Sequence, residues 1–222
     1  MDNITVKALF DLQHTQAGEY LSQFTYPWEA LSGISEFIVK LGQTLSPREY
    51  DTPAEGVWIH KTAVVSPSAY IGAPCIIGAH TEVRHCAFIR GGVLIGENCV
   101  VGNSSELKNA ILFDGVQTPH YNYVGDSILG YKSHMGAGSI TSNVKSDKTN
   151  VVVSAENVRL ETGLKKVGAM LGDFVEVGCN SVLNPGTIIG RRSNVYPLCS
   201  VRGFVPADSI CKRDNVIVQK KA

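Results

Sequence analysis

Two basic side chains stand at a spacing that could form an anion site. Arg90 is followed by two glycines, and Lys108 comes eighteen residues after Arg90. Arginine offers a planar pair of donors and lysine a compact charge, so together they suit a phosphate group. Without a fold that brings them together, they would be two solvated surface charges.

A histidine and a glutamate accompany this pair. His120 follows Lys108 by twelve residues, and Glu106 precedes Lys108 by two. Because histidine changes its charge near neutral pH, His120 beside a phosphate site is a candidate general base. Glu106 is a candidate for orienting its ring. The alternative is that His120 is a structural histidine with satisfied hydrogen bonds.

A six-residue repeat determines how these residues are placed. Aliphatic residues recur at every sixth position from Ile59 to Leu107, and a second series runs from Leu129 to Val201. This period belongs to neither a helix nor an ordinary strand, and it predicts a parallel β-helix with three hexapeptides in each coil. Eighteen residues then make one coil, so Arg90 and Lys108 lie at equivalent corners about 4.8 Å apart.

The two series are out of phase. Counting in sixes from Leu107 reaches Phe113 and Pro119, whereas the next clear member is Leu129. We place this slip in residues 117–123, which contain His120. A stacked coil can absorb such a slip through a bulge or a projecting loop, and irregularities of this kind often lie beside active sites.

The repeat is flanked by different sequence, which gives the predicted domains. Residues 1–56 read as a partly helical cap over the open first coil, with a helix beginning at Pro27; a partner-binding arm is the alternative. Residues 57–205 form the β-helix, and the polar stretch 144–166 predicts a projecting loop or hairpin. Residues 206–222 form a basic tail that is either mobile or phosphate-binding.

The composition excludes several classes of function. Twenty basic and twenty acidic residues give a net charge of zero, so no broad basic surface for nucleic acid is expected. No apolar run reaches the roughly 18 residues of a membrane helix, and the N-terminus lacks a signal-peptide pattern. The six cysteines include no Cys-x-x-Cys pair, which is typical of a reduced compartment. We therefore expect a cytoplasmic protein that binds neither nucleic acid nor membrane.

Three sequence blocks between residues 88 and 143 carry a family resemblance. They read RGGVLIGENCVVGNSSELK, HYNYVGDSILG and GAGSITSN. They resemble the acetyltransferase domain of the bifunctional glucosamine-1-phosphate N-acetyltransferase/N-acetylglucosamine-1-phosphate uridylyltransferase, and more closely the C-terminal domains of related sugar-phosphate nucleotidylyltransferases. The resemblance implies an all-β fold, a left-handed parallel β-helix of hexapeptide repeats with an N-terminal partly helical cap.

The resemblance also implies roles in catalysis. Arg90 and Lys108 would hold the phosphate of an amino-sugar phosphate, with help from Tyr123. Glu106 would orient His120, which would take the proton from the sugar amine as the amine attacks the thioester of acetyl-CoA. The predicted function is thus a CoA-dependent N-acetyltransferase, with a glucosamine 1-phosphate-like acceptor.

Further positions follow from the same resemblance. His134 and Asn143 would contact the acceptor, while Ala137, Cys179 and Pro197 would line the pantetheine arm of acetyl-CoA. No metal is implied. Members of this family form trimers with sites between neighbouring prisms, so we expect a homotrimer.

The chain also departs from the family pattern. His134 stands where the bifunctional enzyme has an asparagine, and the sequence after Asn143 differs, which puts the acceptor's identity in doubt. Residues 1–56 contain no glycine-rich nucleotidylyltransferase opening, so we expect no uridylyltransferase domain and no UDP-sugar product from this chain alone.

Two other functions remain open. His80 and His85 resemble the paired zinc ligands of γ-class carbonic anhydrases, with His60 as the nearest candidate for the third ligand. The spacing is one position out of phase with that family. The third possibility is a non-catalytic solenoid that binds a sugar phosphate.

Overall fold

The computed structural model describes residues 2–155 and 158–221. Its α-helices are α1 (Val6–Leu9), α2 (Gly18–Leu21) and α3 (Ile34–Gly42), and its 3-10 helices are Asp2–Ile4, Leu12–His14, Pro27–Gly33 and Arg213–Asn215. The strands are β1 (Tyr50–Ala54), β2 (Val57–His60), β3 (Val64–Val65), β4 (Tyr70–Ile71), β5 (Cys75–Ile77), β6 (Glu82–Val83), β7 (Phe88–Ile89), β8 (Val93–Ile95), β9 (Val100–Asn103), β10 (Glu106–Leu112), β11 (Gln117–His120), β12 (Tyr123–Leu129), β13 (His134–Met135), β14 (Ile140–Thr141), β15 (Val152–Ala155), β16 (Val158–Glu161), β17 (Ala169–Leu171), β18 (Glu176–Val177), β19 (Val182–Leu183), β20 (Thr187–Ile189), β21 (Asn194–Val195), β22 (Ser200–Val201), β23 (Phe204–Val205), β24 (Ser209–Cys211) and β25 (Ile217–Gln219). Within these described residues, no helix is long and apolar enough to cross a membrane.

Short parallel strands stack into three ladders that form the sides of a prism. The first ladder contains β2, β5, β8, the second halves of β10 and β12, β17, β20 and β23. The second contains β3, β6, β9, β11, β13, β18, β21 and β24. The third contains β4, β7, the first halves of β10 and β12, β14, β19 and β22. This is the left-handed parallel β-helix of about eight turns that the sequence predicts.

One inward side chain from each strand stacks on its equivalents in neighbouring coils. The first-ladder column is Ile59, Ile77, Ile95, Leu112, Leu129, Leu171, Ile189 and Val205. Ile59 in the first coil is partly exposed, and the other side chains of this column are all buried. Because full burial of such a side chain contributes about 1.5–3 kcal/mol, the stacked columns are the main source of stability.

The phase slip is located differently from the prediction. Thr118 pairs with Val101 in the second ladder, and Val124 pairs with Leu107 in the third, so residues 117–123 keep the stack. The lost residues are instead at two corners, where Leu107 to Leu112 and Val124 to Leu129 each take five residues rather than six. Sequence counting missed this because the inward position at 118 holds a threonine.

The N-terminal segment covers one side of the prism rather than only its first coil. Its α3 helix buries Ile34 and Ile38, and Phe10 packs on Phe113 with ring centroids 5.1 Å apart. Farther along, the amide group of Asp173 donates to the carbonyl of Leu9 at 3.0 Å. The helix α3 packs on β5, β8 and β10, and the 3-10 helix Pro27–Gly33 packs on β12. The N-terminal segment thereby covers the outer row of the first ladder in these coils, whose side chains Ile76, Leu94, Ile111 and Ile128 are fully buried.

An antiparallel strand closes the starting edge of the first ladder, and another closes the final edge of the second ladder. β1 pairs with β2 at the first coil, and β25 pairs with β24 at the last one. Such pairing satisfies edge groups that would otherwise invite aggregation. The last coil continues past residue 205 to Cys211. The first part of the predicted tail, residues 206–222, therefore belongs to the β-helix.

The interruption predicted within residues 144–166 is an antiparallel hairpin of β15 and β16. It folds back on the prism, since Val151 and Val153 are at most 1% exposed and Val151 lies against Gly186. The hairpin thereby extends the covering of the first ladder toward the last coils.

Candidate functional site

The structure places the predicted site residues on two corners of the prism. The first, which we call the His120 corner, is where second-ladder strands turn toward the third ladder. Backbone hydrogen bonds between successive coils align this corner: Gly138 N to His120 O at 3.0 Å, Asn180 N to Ala137 O at 2.8 Å, and Leu198 N to Cys179 O at 2.9 Å. His120, Ala137, Cys179 and Pro197 therefore occupy equivalent positions in successive coils.

Left-handed residues make this corner. Tyr121 has a φ of 52°, Asn180 of 54° and Leu198 of 62°, and Gly138 has a φ of 71° at the same point of its coil. Residues with branched side chains would be strained there. The backbone turns sharply at each of these positions, so the preceding residue of each coil lies at the edge of the prism.

His120 is exposed at the end of β11, and a buried amide fixes its backbone. The Oδ1 atom of Asn122 accepts a hydrogen bond from His120 N at 3.1 Å, while its Nδ2 donates to Gly136 O at 2.9 Å. Asn122 is 2% exposed. Among the described residues, no protein group hydrogen-bonds the ring of His120, which leaves both ring nitrogens free for a substrate.

A groove of about 480 Å³ lies on the second-ladder face beside this corner. Cys179, Pro197, His134 and Glu176 are among its lining residues. The Nδ1 atom of His134 lies 2.9 Å from Glu176 Oε2. The structure thus groups His134 with the residues predicted to line the pantetheine arm, on a different face from Arg90.

The second corner, which we call the Arg90 corner, is where third-ladder strands turn toward the first ladder. Arg90 N donates to Leu107 O at 2.9 Å, which confirms that Arg90 and Lys108 stand at equivalent positions of adjacent coils. Each cation already has a carboxylate partner. Arg90 Nη1 lies 2.9 Å from Glu106 Oε1, and Lys108 Nζ lies 3.2 Å from Asp126 Oδ2.

Asp126 gathers the polar side chains of this corner. Its carboxylate accepts hydrogen bonds from Lys108, from Asn109 Nδ2 at 2.9 Å, and from Asn143 Nδ2. Asn143 Nδ2 also donates to the hydroxyl of Tyr123 at 3.2 Å. Burial, followed by the nearby Asp126, raises the pKa of Tyr123, so its hydroxyl keeps its proton.

Glu106 contacts Arg90 in this structure rather than His120. The hydrogen bond that Arg90 donates to the Glu106 carboxylate raises the pKa of Arg90 above its usual value. Glu106 N donates to Asn122 O at 2.8 Å, so its backbone lies directly beside the turn that carries His120. The predicted pairing of Glu106 with His120 therefore requires the carboxylate to leave Arg90.

The metalloenzyme alternative requires ligands that converge on one point. Among the residues that the structure describes, no group of three His, Cys, Asp or Glu side chains is arranged to hold a metal ion. His85 Nδ1 lies 2.8 Å from Ser66 Oγ, and His60 Nδ1 lies 2.9 Å from Thr62 Oγ1. The Nδ1 atoms of His60 and His85 are therefore hydrogen-bonded to hydroxyl groups rather than directed toward a common ligand position.

Three polar residues of the site were missed in the sequence: Asn109, Asn122 and Asp126. Asn122 and Asp126 lie inside the block HYNYVGDSILG, and Asn109 directly follows Lys108. Asn109 and Asp126 have φ values of 47° and 49° and form the two shortened corners. Asparagine and aspartate tolerate this left-handed conformation, so a polar residue at each five-residue step was an available signal.

Comparisons with known proteins agree with the resemblance stated from the sequence. A family model described as the GMPPB C-terminal domain matches residues 74–171. The bifunctional protein GlmU of Methanococcus maripaludis (strain C5) is 32% identical over 213 residues, which cover 95% of this chain and 52% of that protein. The predicted resemblance is confirmed. The chain is similar to these GlmU proteins over nearly its whole length and spans about half the length of these curated relatives.

Other relatives and structures extend the comparison. A bifunctional sugar-1-phosphate nucleotidylyltransferase/acetyltransferase of Sulfurisphaera tokodaii is 32% identical over 141 residues, which cover 64% of this chain and 35% of that protein. Among solved structures, the polySia-specific acetyltransferase NeuO covers 74% of this chain and 82% of its own at 15% identity, with a TM-score of 0.47. The acetyltransferase domain of PglB from Neisseria gonorrhoeae, in complex with acetyl coenzyme A, covers 74% and 57% at 16% identity, with a TM-score of 0.33.

Proposed function

We propose that this chain is an acetyl-CoA-dependent N-acetyltransferase whose acceptor is an amino-sugar phosphate of the glucosamine 1-phosphate type. The observation that carries the proposal is the placement of Arg90 and Lys108 on adjacent coils of one corner. His120 stands on the other corner of the same third-ladder face. The similarity to bifunctional relatives whose names include acetyltransferase and sugar-1-phosphate functions supports it.

Phosphate binding begins with an exchange of partners at Arg90. The Arg90 and Glu106 side chains are 46% and 31% exposed, so water screens their attraction and the ion pair adds little to stability. A phosphate dianion offers Arg90 more charge and a bidentate geometry. Arg90 binds the phosphate, and the carboxylate of Glu106 is released.

The released Glu106 then becomes available to His120, whose turn it already flanks. His120 accepts the proton from the attacking sugar nitrogen as the new C–N bond forms at the acetyl carbonyl carbon. The C–S bond breaks, and the sulfur of CoA receives a proton from the histidine, so the products are the amide and the free thiol. General base catalysis of this type contributes about 10²–10⁴-fold.

The two substrates approach His120 from different sides. Acetyl-CoA lies along the His120 corner, where Ala137, Cys179 and Pro197 continue the line of His120 through later coils. Tyr123 and Asn143 complete the acceptor site beside Lys108. His134 borders the groove of Cys179 and Pro197 within the same chain. This position favours contact with acetyl-CoA rather than with the acceptor sugar.

The active assembly is a homotrimer. The N-terminal segment covers the first-ladder side, whereas the other two sides carry exposed apolar side chains, including Val64 at 66%, Tyr70 at 61% and Phe88 at 42%. Closed cyclic packing of three prisms would bury these side chains and enclose the groove beside His120.

A panel of acceptors tests the proposal. The purified chain is incubated with acetyl-CoA and glucosamine 1-phosphate, galactosamine 1-phosphate, glucosamine 6-phosphate or glucosamine, and thiol release and product mass are measured. At least one 1-phosphate should yield the N-acetyl product. Binding of a 1-phosphate without any thiol release would reject catalysis and favour the non-catalytic solenoid.

A further inference from the structure

We infer that Asp126 is a positioning residue for the acceptor site. Its buried carboxylate holds Lys108 and Asn143 in place through hydrogen bonds, and Asn109 connects it to the N-terminal segment. This inference rests on the proposed function and deepens it. Asp126 itself is too deeply placed to meet a substrate, because its side chain is 5% exposed. Its effect on the acceptor must therefore pass through its partners.

The carboxylate of Asp126 is fully engaged by side chains of the two neighbouring coils, one on each side of its own coil. Oδ1 accepts from Asn109 Nδ2 at 2.9 Å, and Oδ2 accepts from Asn143 Nδ2 and from Lys108 Nζ at 3.2 Å. Burying a carboxylate is costly unless it is paired and hydrogen-bonded. The lysine supplies the counter-charge, and the two amides supply the remaining bonds, so this arrangement is held in one geometry.

The two ion pairs of the Arg90 corner differ in a way that assigns them different tasks. In the Lys108–Asp126 pair the side chains are 26% and 5% exposed, against 46% and 31% in the Arg90–Glu106 pair. Water screens and competes with the exposed pair much more than with the buried one. Glu106 is thus the exchangeable partner, while Asp126 remains on Lys108 when a phosphate arrives.

Lys108 keeps donor capacity while it is held. An ammonium group has three donors, and Asp126 engages Nζ through contacts of 3.2 and 3.3 Å to its two oxygens. Among the residues that the structure describes, no other protein group bonds this nitrogen. At least one N–H therefore points away from Asp126 and is available for a phosphate oxygen.

A single amide connects this site to the N-terminal segment. Asn109 Nδ2 donates to Asp126 Oδ1 and also to Leu31 O, at 3.2 Å. Leu31 belongs to the 3-10 helix Pro27–Gly33, whose body packs on the first-ladder side. The segment that covers the prism thereby also supports the acceptor site from behind.

The variant Asp126→Asn tests the inference. Asparagine has the same shape and tolerates the φ of 49° at this position, so the fold is expected to survive. The matched control is Asp173→Asn, since Asp173 is 2% exposed and pairs with Arg191 at a different corner, between the first and second ladders. With glucosamine 1-phosphate as acceptor, Asp126→Asn should raise KM about tenfold or more, as expected for a lost charged hydrogen bond, and change kcat less. KM for acetyl-CoA should not change, and Asp173→Asn should match the wild type in all three values.

A second measurement separates failure of this inference from failure of the proposed function. A crystal structure of ligand-free Asp126→Asn should show that Lys108 Nζ and Asn143 have left their wild-type positions. If the wild type acetylates no amino-sugar phosphate, the proposed function is rejected, and unmoved Lys108 and Asn143 would reject the inference. If the wild type is active and KM for the acceptor in Asp126→Asn equals that of Asp173→Asn, the inference alone is overturned.

Discussion

At the residue scale, the charges of the candidate site are balanced before any substrate is present. Arg90 pairs with Glu106 and Lys108 with Asp126, so two cations and two anions share one corner. The residue types and the coil spacing of the cations could be predicted from the sequence. Their partners could not, because the choice between Arg90 and His120 for Glu106 depends on side-chain conformation.

Removing the imidazole tests the role of His120. His120→Ala should lower kcat by about 10²–10⁴-fold, the range of a general base. The melting temperature should stay nearly unchanged, because the side chain is exposed and outside the stacked core. Binding of the sugar phosphate should persist. Wild-type kcat, or loss of the fold with the activity, would make His120 structural.

Removing the charge of Glu106 separates its two possible tasks. Glu106→Gln should lower kcat about tenfold or more, since the histidine loses its orienting anion, while KM for the phosphate acceptor stays equal or falls because Arg90 is freed. Glu82→Gln is the control, since Glu82 forms a similar exposed pair with Arg84 at 2.9 Å. An unchanged kcat with a raised KM would show that Glu106 only holds Arg90.

At the element scale, the corners carry the site. The hexapeptide period predicts the ladders and the equivalent positions of Arg90 and Lys108, because every sixth inward residue must be small enough and apolar enough to stack. It does not locate the shortened corners, since Thr118 occupies the inward position between them and interrupts the aliphatic series. Asn109 and Asp126 stand at equivalent positions of adjacent coils, at the two shortened corners.

Asn109 provides a test of the link between the corner and the N-terminal segment. Asn109→Gly removes the amide but permits the φ of 47°. Losing the neutral bond to Leu31 O, at about 1 kcal/mol, and the charged bond to Asp126, at about 1.5–3 kcal/mol, should raise KM for the acceptor at least several-fold without unfolding the chain. Asn98→Gly is the control, since Asn98 has a φ of 53° at a different corner. Equal KM values in the two variants would disconnect the segment from the site.

At the scale of the whole molecule, the N-terminal segment covers one of the three sides of the prism and leaves the other two exposed. Its helical pattern predicts a buried face, which we expect to lie on the open first coil. The structure shows that the surface it covers is the outer row of the first ladder, which contains Leu94 and Ile111. The other two sides carry the exposed apolar side chains Val64, Tyr70 and Phe88, which the proposed trimer would bury.

The expected assembly follows from this arrangement. Light scattering at micromolar concentration should give the mass of three chains of 23.9 kDa. Tyr70→Lys, which places a charge on an exposed apolar side, should weaken the trimer, whereas Lys40→Ala on the outer face of α3 should leave it intact. A monomeric wild type would contradict both the trimer and a site shared between prisms.

The central claim is that the Arg90 corner recognises the phosphate of the acceptor. The most direct measurement is kcat/KM with glucosamine 1-phosphate relative to glucosamine, in the wild type and in Lys108→Ala. The wild type should prefer the phosphorylated sugar by at least about 100-fold, and Lys108→Ala should lose about 1.5–3 kcal/mol of that preference through KM. Equal values for the two acceptors in the wild type would contradict the account.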